Sequence, residues 1–284
     1  MRTPARTAAL LLALALPTSL ARAQGDTGFL RGEGRLDTVL SYTLDWYDEF
    51  WVGDMKVSDP GVGEVERETY TLYAAYGLTN DIDLVLNASY VEAETDGTVP
   101  FDDEDDLQDL YLGAKWRAWS TGIGTGMFSA LLAPSVKIPM TDYEDNDVTA
   151  IGDGQVDLRF RGILHYQVSA FFGSLESGYD VRNGAPEDEV PLNITVGGTI
   201  ADRVTLMPFY SLVRSEGGPD IGDPGFRFRA VEEEYDRIGI SVYARIAQGF
   251  GLSAMWRTTT DGMNTGEAET ISVGLVYGAQ LQGP

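Results

Sequence analysis

Cysteine is absent from the 284 residues, and histidine occurs once. Without cysteine there is no disulfide framework and no thiolate metal site, so stability must come from hydrogen-bonded sheet and burial. A single histidine leaves little scope for a nucleophile–base pair. Basic residues are scarce as well: 20 Lys and Arg face 44 Asp and Glu, a formal charge of −24. That balance argues strongly against nucleic acid, whose phosphates demand Lys and Arg. Long apolar runs are missing too. The clearest, Ala8 to Leu16, is too short for a transmembrane helix, which needs about 20 residues.

That run has a different meaning. Arg2 and Arg6 precede it, and Ala21-Arg22-Ala23 follows as a small-x-small cleavage site. The order reads as a secretory signal peptide over residues 1–23, with an exported domain over residues 24–284. Export without a membrane helix leaves two homes, a soluble periplasmic protein or an outer-membrane barrel.

What is present in quantity is strand signal. Val, Thr, Tyr, Phe and Leu alternate with polar residues, punctuated by Gly, Asn and Asp. About twelve segments follow: Arg35–Trp46, Glu64–Leu78, Ile82–Glu94, Leu107–Trp119, Met127–Met140 and Gly154–Tyr166 in the first half. Ala170–Arg182, Val190–Ile200, Arg203–Arg214, Glu234–Ile246, Gly249–Thr259 and Glu269–Tyr277 make the second half. Most exceed the roughly 5–6 residues usual in soluble sheets and reach the roughly 9–11 of a tilted membrane strand. Short connections such as Thr79-Asn80-Asp81 and Ala201-Asp202 alternate with long ones such as Tyr47–Gly63 and Ser215–Glu233. Strict alternation predicts an all-β, up-and-down antiparallel barrel with both termini on the short-turn side, taken as periplasmic.

Within the strands one face is apolar and the other polar. Ile82, Leu84, Leu86, Ala88 and Tyr90 oppose Asp83, Asn87 and Ser89; Ile238, Ile240 and Val242 oppose Arg237, Ser241, Tyr243 and Arg245. A soluble lipocalin-like barrel shows the same alternation with its apolar face inward. Three features favour the membrane barrel. An interior twelve strands wide is hard to fill with apolar side chains. Aromatic residues (Tyr76, Trp119, Tyr166, Phe172, Phe250, Tyr277) gather beside the short turns, as an interfacial girdle requires. Charges recur on the polar face in mid-strand, where only a wet lumen tolerates them.

Those charges are the candidate lumen residues: Asp83, Asp109, Lys115, Arg117, Lys137, Asp157, Arg159, Arg161, Glu176, Arg245 and Arg257. They form either a polar ladder that sets a pore's charge preference or ion pairs that plug it. Tyr111, Met207, Phe209 and Met255 share that face. The acidic loops hold weak cation candidates, Asp102, Asp103, Asp105, Asp145 and Asp147. Their spacing lacks the Asp-x-Asp-x-Asp-Gly pattern of a calcium loop, so solvated, mutually repelling tips are the better reading. No H-E-x-x-H, G-x-S-x-G or phosphate loop occurs. The lone histidine, His165, falls at the short-turn end of its strand, where it reads as a girdle or rim residue. Neither an enzyme nor a cofactor is expected.

The stretch Leu132 to Thr199 resembles the outer-membrane transporter-like family named for the MetA pathway of phenol degradation. The matching residues are Ala133-Pro134-Ser135-Val136-Lys137-Ile138-Pro139, Ile151-Gly152-Asp153-Gly154-Gln155-Val156-Asp157 and Asn183-Gly184-Ala185-Pro186-Glu187-Asp188-Glu189. The resemblance implies a barrel that passes small, often hydrophobic molecules. One departure is that Tyr277 is followed by Gly278 to Pro284, where such chains commonly end on an aromatic residue. The expectation is therefore a porin-like outer-membrane channel of a Gram-negative bacterium, with lipid, lipopolysaccharide and small solutes as partners. The alternative is a non-transporting surface barrel whose acidic loops bind cations, lipopolysaccharide or a protein.

Overall fold

The computed structural model describes residues 26–281 apart from 59, 60, 100 and 186. The signal-peptide expectation lies outside the described residues. Alternating side chains and turn residues lay down fifteen strands: β1 (Arg35–Tyr47), β2 (Glu49–Val52), β3 (Met55–Ser58), β4 (Val65–Gly77), β5 (Ile82–Thr95), β6 (Glu104–Ile123), β7 (Gly126–Leu132) and β8 (Ser135–Pro139). They continue as β9 (Asp157–Val168), β10 (Phe171–Val181), β11 (Glu189–Ile200), β12 (Val204–Ser215), β13 (Glu234–Ala247), β14 (Phe250–Met263) and β15 (Glu269–Gln280).

Each long strand pairs antiparallel with its neighbour, and β1 pairs with β15 through Val39 and Val276 to close the sheet. Closure satisfies every edge, the condition for a sheet to sit in lipid. β7 and β8 together form one staff between β6 and β9, broken at Ala133 and Pro134. Proline has no N–H to give the ladder, so the staff bends there. The barrel thus has twelve staves, with β2 and β3 as a separate hairpin in the first long loop.

One end carries tight turns. Gly124 (φ 61°) and Gly249 (φ 76°) supply the left-handed backbone that a two-residue hairpin needs, and Ser169 (φ 53°) adopts it too. The other end carries the long loops. Between them the apolar side chains point outward: Leu72, Leu40, Leu275 and Leu252 are cross-strand neighbours in one row, each about half exposed. Trp119, Phe171, Phe250 and Tyr277 stand exposed beside the short turns. Nearer the long loops, Tyr42, Tyr70 and Tyr90 stack in a row, with centroids 5.3 and 6.4 Å apart. Two aromatic rings bounding an apolar band are the outline of a bilayer.

The strand readings shift in several places, and β6 and β14 run on to Ile123 and Met263. β6 begins at Glu104, so Glu104, Asp105 and Asp106 of the acidic run belong to a strand and not to a solvated tip. β9 begins only at Asp157, which leaves residues 154–156 to the preceding loop. Phe172 is not a girdle residue. It is buried inside the barrel, and Phe171 stands on the outer face in its place.

Candidate functional site

The polar face of the wall encloses a lumen layered along the axis. At the short-turn end it is filled. Val39, Tyr73, Val85, Phe172, Met207, Tyr243 and Val276 form an apolar cluster inside the barrel, and Phe29 packs on it. Phe29 belongs to a strap, residues 26–33, that precedes β1 and lies within the lumen. Its rings meet edge to face, Phe29 to His165 at 4.5 Å and Phe29 to Phe172 at 4.9 Å.

Charged side chains fix the strap. The backbone N–H of Arg31 donates to the Asp83 carboxylate at 3.0 and 3.1 Å, and the Arg31 Nε lies 2.9 Å from Asp37. Asp37 and Asp83 are fully buried. Removing the partner of such a pair costs about 3–5 kcal/mol, because the remaining charge is stranded. Farther in, Lys115 Nζ donates to the Thr27 carbonyl at 3.1 Å and lies 3.3 Å from Asp26, whose own N–H donates to Glu176. Sequence reasoning missed this strap, because residues 26–33 have no periodicity to read.

Above the strap a cavity of about 380 Å³ is lined by Asp26, Lys115, Tyr111, Arg159, Arg161, Glu176 and Asp180, among others. Arg159 Nε lies 3.1 Å from Asp180, which also accepts from Arg161, and Arg161 Nε lies 3.5 Å from Glu176. The Arg159 guanidinium stands 5.2 Å over the Tyr111 ring. A second cavity of about 640 Å³ follows on the long-loop side. Asp45, Tyr111, Tyr235, Arg237 and Arg257 border both cavities and so mark their junction.

The outer cavity is narrowed by the loop of residues 140–156, which folds inward. Tyr143 and Ile151 pack on Val91 and Ala93 of the inner β5 face. The Tyr143 hydroxyl donates to Asp109 at 2.7 Å, and Lys137 Nζ lies 2.5 Å from both Asp153 and Asp157. Asp153 also takes Arg182. Burial alone would raise the Asp153 pKa, but Lys137 and Arg182 hold it below the ordinary carboxylate value. Arg229 of the 216–233 loop lies 2.9 Å from Asp145, joining the two loops over the mouth.

The placement of the eleven lumen candidates is now plain. Lys115, Arg159, Arg161, Glu176 and Arg257 line the inner cavity. Asp109 and Lys137 line the outer one, which Arg257 also borders. Asp83 and Asp157 are buried in the ion pairs just described. Two lie elsewhere. Arg117 pairs at the short-turn rim with Asp81 at 3.5 Å, and Arg245 donates to the Asp202 carbonyl at 2.7 Å on that same rim. Strand ends leave the lumen, so alternation overreached there. Arg67, Arg182 and Arg237 line the lumen and were not among the candidates.

His165 is also not a rim residue. It is buried beneath Phe29, with Nδ1 2.7 Å from Ser174 Oγ and Nε2 without a hydrogen-bond partner among the described residues. No carboxylate orients the ring among those residues, so the pair lacks the third member of a hydrolytic triad. Three of the five acidic cation candidates engage their carboxylates in protein contacts: Asp105 accepts from the Tyr90 hydroxyl, Asp145 from Arg229 and Asp147 from the Val148 N–H. Asp102 accepts from Thr149 through its carbonyl, and Asp103 is exposed. Among the described residues no three His, Asp or Glu side chains converge as metal ligands.

A family model described as "Putative MetA-pathway of phenol degradation" matches residues 61–275, most of the chain. Curated protein sequences give no match. Among solved structures, an outer membrane channel from Pseudomonas putida F1 aligns with a TM-score of 0.74 at 12% identity, over 90% of this chain and 100% of that one. The translocator domain of the autotransporter NalP from Neisseria meningitidis aligns at 0.52 and 14% identity, over 87% and 88% of the two chains. The NanC porin gives 0.51 and 7%, over 85% and 98%. Identities this low establish the fold alone. It is the fold of outer-membrane barrels.

Proposed function

The chain belongs to that phenol-degradation family, and from this premise we propose that it is a passive channel for small solutes, aromatic or hydrophobic ones among them. The observation that carries the reading is the hydrophilic lumen itself. A wall that is apolar outside and charged inside encloses two adjoining cavities between the loops and the strap. A barrel serving only as a surface scaffold has no need to keep charges in mid-membrane around empty space.

In this reading the long acidic loops face the exterior and its lipopolysaccharide, and both ends of the barrel chain face the periplasm. The strap closes the periplasmic floor and must shift for passage. The test is planar-bilayer conductance together with liposome swelling across sugars, anions and aromatic acids. Discrete conductance and uptake of at least one solute class are expected. A folded barrel that neither conducts nor admits any solute would sink the channel reading in favour of the surface scaffold.

A further inference from the structure

The lumen concentrates positive charge far beyond its share. Nine of the chain's 20 Lys and Arg line the two cavities, against ten of its 44 Asp and Glu. Seven of those nine cations sit within ion-pair distance of a carboxylate. The other two are Arg67 and Arg237. Among the described residues neither has a carboxylate oxygen within 4.0 Å. Arg67 donates from Nη2 to the Ala150 carbonyl at 3.0 Å, while its buried Nε has no hydrogen-bond partner among the described residues. Arg237 donates from Nε to Thr259 Oγ1 at 3.2 Å, and its guanidinium lies 3.6 Å over the Tyr235 ring.

These two share one wall. Asp45 on β1 is the cross-strand partner of Arg67 on β4 and of Thr270 on β15, and Thr270 is that of Arg257 on β14. Arg237 on β13 faces Thr259 on β14, beside a bulge at Thr260. Asp45 is already taken by Arg257, at 3.1 Å. Glu233, the other nearby acid, accepts from the Thr265 hydroxyl at 3.0 Å. Arg67 and Arg237 both line the outer cavity together with Tyr47. Tyr47 meets Phe50 edge to face at 5.0 Å, and both line the outer cavity with Tyr235. In a chain so rich in acid, two lumen arginines with no carboxylate partner among the described residues point to an anion. The neighbouring rings ask for a planar apolar body.

We propose that this wall is a binding site for small aromatic carboxylates, with Arg67 and Arg237 holding the carboxylate and Tyr47, Phe50 and Tyr235 receiving the ring. Guanidinium groups match a carboxylate with paired N–H donors, and the aromatic surroundings stack on the ring. Cavities of this size hold a single-ring acid. The site deepens the channel reading by naming the charge class that the pathway favours, but binding itself does not require conduction.

Calorimetry on the full chain in detergent micelles tests it, with benzoate as probe and benzyl alcohol as the uncharged ring. Benzoate is expected to bind saturably, and benzyl alcohol more weakly. The Arg67→Gln/Arg237→Gln pair should lose roughly tenfold or more in benzoate affinity, the scale of a lost charge-assisted contact. Arg214→Gln, on the outer face, should lose none. Acetate should displace benzoate from the native chain and methylammonium should not, a comparison independent of whether the double variant folds. Benzoate affinity unchanged in a folded double variant, or no competition by acetate, would overturn the site. Conductance without benzoate binding defeats the site alone, and benzoate binding without conductance defeats the channel alone.

Discussion

Asp153 takes two cations at once, Lys137 from the wall and Arg182 just past the end of β10, and so ties the inward loop to the barrel. Its lowered pKa fixes the sign of the pH response. A carboxyl held below its unfolded value of 3.8 contributes stability above that value and loses it as pH falls through the lower folded one. The share of the loop tether that Asp153 supplies should therefore persist from neutral pH down to about pH 4 and be lost below it. Single-channel recordings across pH should show conductance rising in that acid window. Asp153→Asn should be open-like at every pH and less stable by about 1.5–3 kcal/mol, the worth of a hydrogen bond to a charged group. A variant whose pH profile matched the native one would show that the loop is held by Tyr143 and Ile151 instead. Sequence reading placed Asp145 and Asp147 in solvated tips because charge runs usually are solvated. It did not see that Tyr143 and Ile151, which flank those acids, seat the loop on β5.

The strands were legible because period-2 alternation is local, and a barrel repeats it in every stave. What alternation does not carry is anything that enters from outside the strand. The strap is such an element: its Phe29 packs on His165 and Phe172, more than a hundred residues away in sequence. The Ala133-Pro134 break was visible as residues, yet its effect, one staff built from two strands, depends on neighbours in β6 and β9. Arg237 was read on the polar face but not singled out, since a charge without a partner looks the same in sequence as a charge with one. The strap also yields a prediction. A Cβ on Gly28 would stand 2.1 Å from the His165 Cβ, so Gly28→Leu cannot be accommodated where the strap now lies. The variant should displace the strap and raise conductance several-fold. Deleting residues 26–33 should do the same but strand Asp37 and Asp83, so the deletion should need Asp37→Asn and Asp83→Asn to recover stability. Unchanged conductance in both variants would mean that the apolar cluster, and not the strap, closes the floor.

At the scale of the molecule the decisive feature is which face of the wall is apolar, because it separates a lipid-embedded barrel from a soluble one built on the same alternation. The row Leu72, Leu40, Leu275 and Leu252 runs across four adjacent strands with no polar interruption, and Leu40 is 61% exposed. For a soluble protein an exposed leucine is unremarked, and replacing it with arginine is close to neutral. In a bilayer the same change puts a guanidinium into hydrocarbon, at a cost of about 2–4 kcal/mol near the midplane. Leu40→Arg should therefore fold into vesicles with that loss in denaturant titrations. Thr43→Arg, three residues along the strand on a lumen-facing position, should leave stability nearly unchanged. It should instead shift ion selectivity, since it adds a cation to the inner cavity. The contrast between the two sides tests the architecture without reference to any solute. Equal and small effects at both positions would return the chain to the soluble class, and a large loss at Leu40 alone requires lipid on the outside and water within.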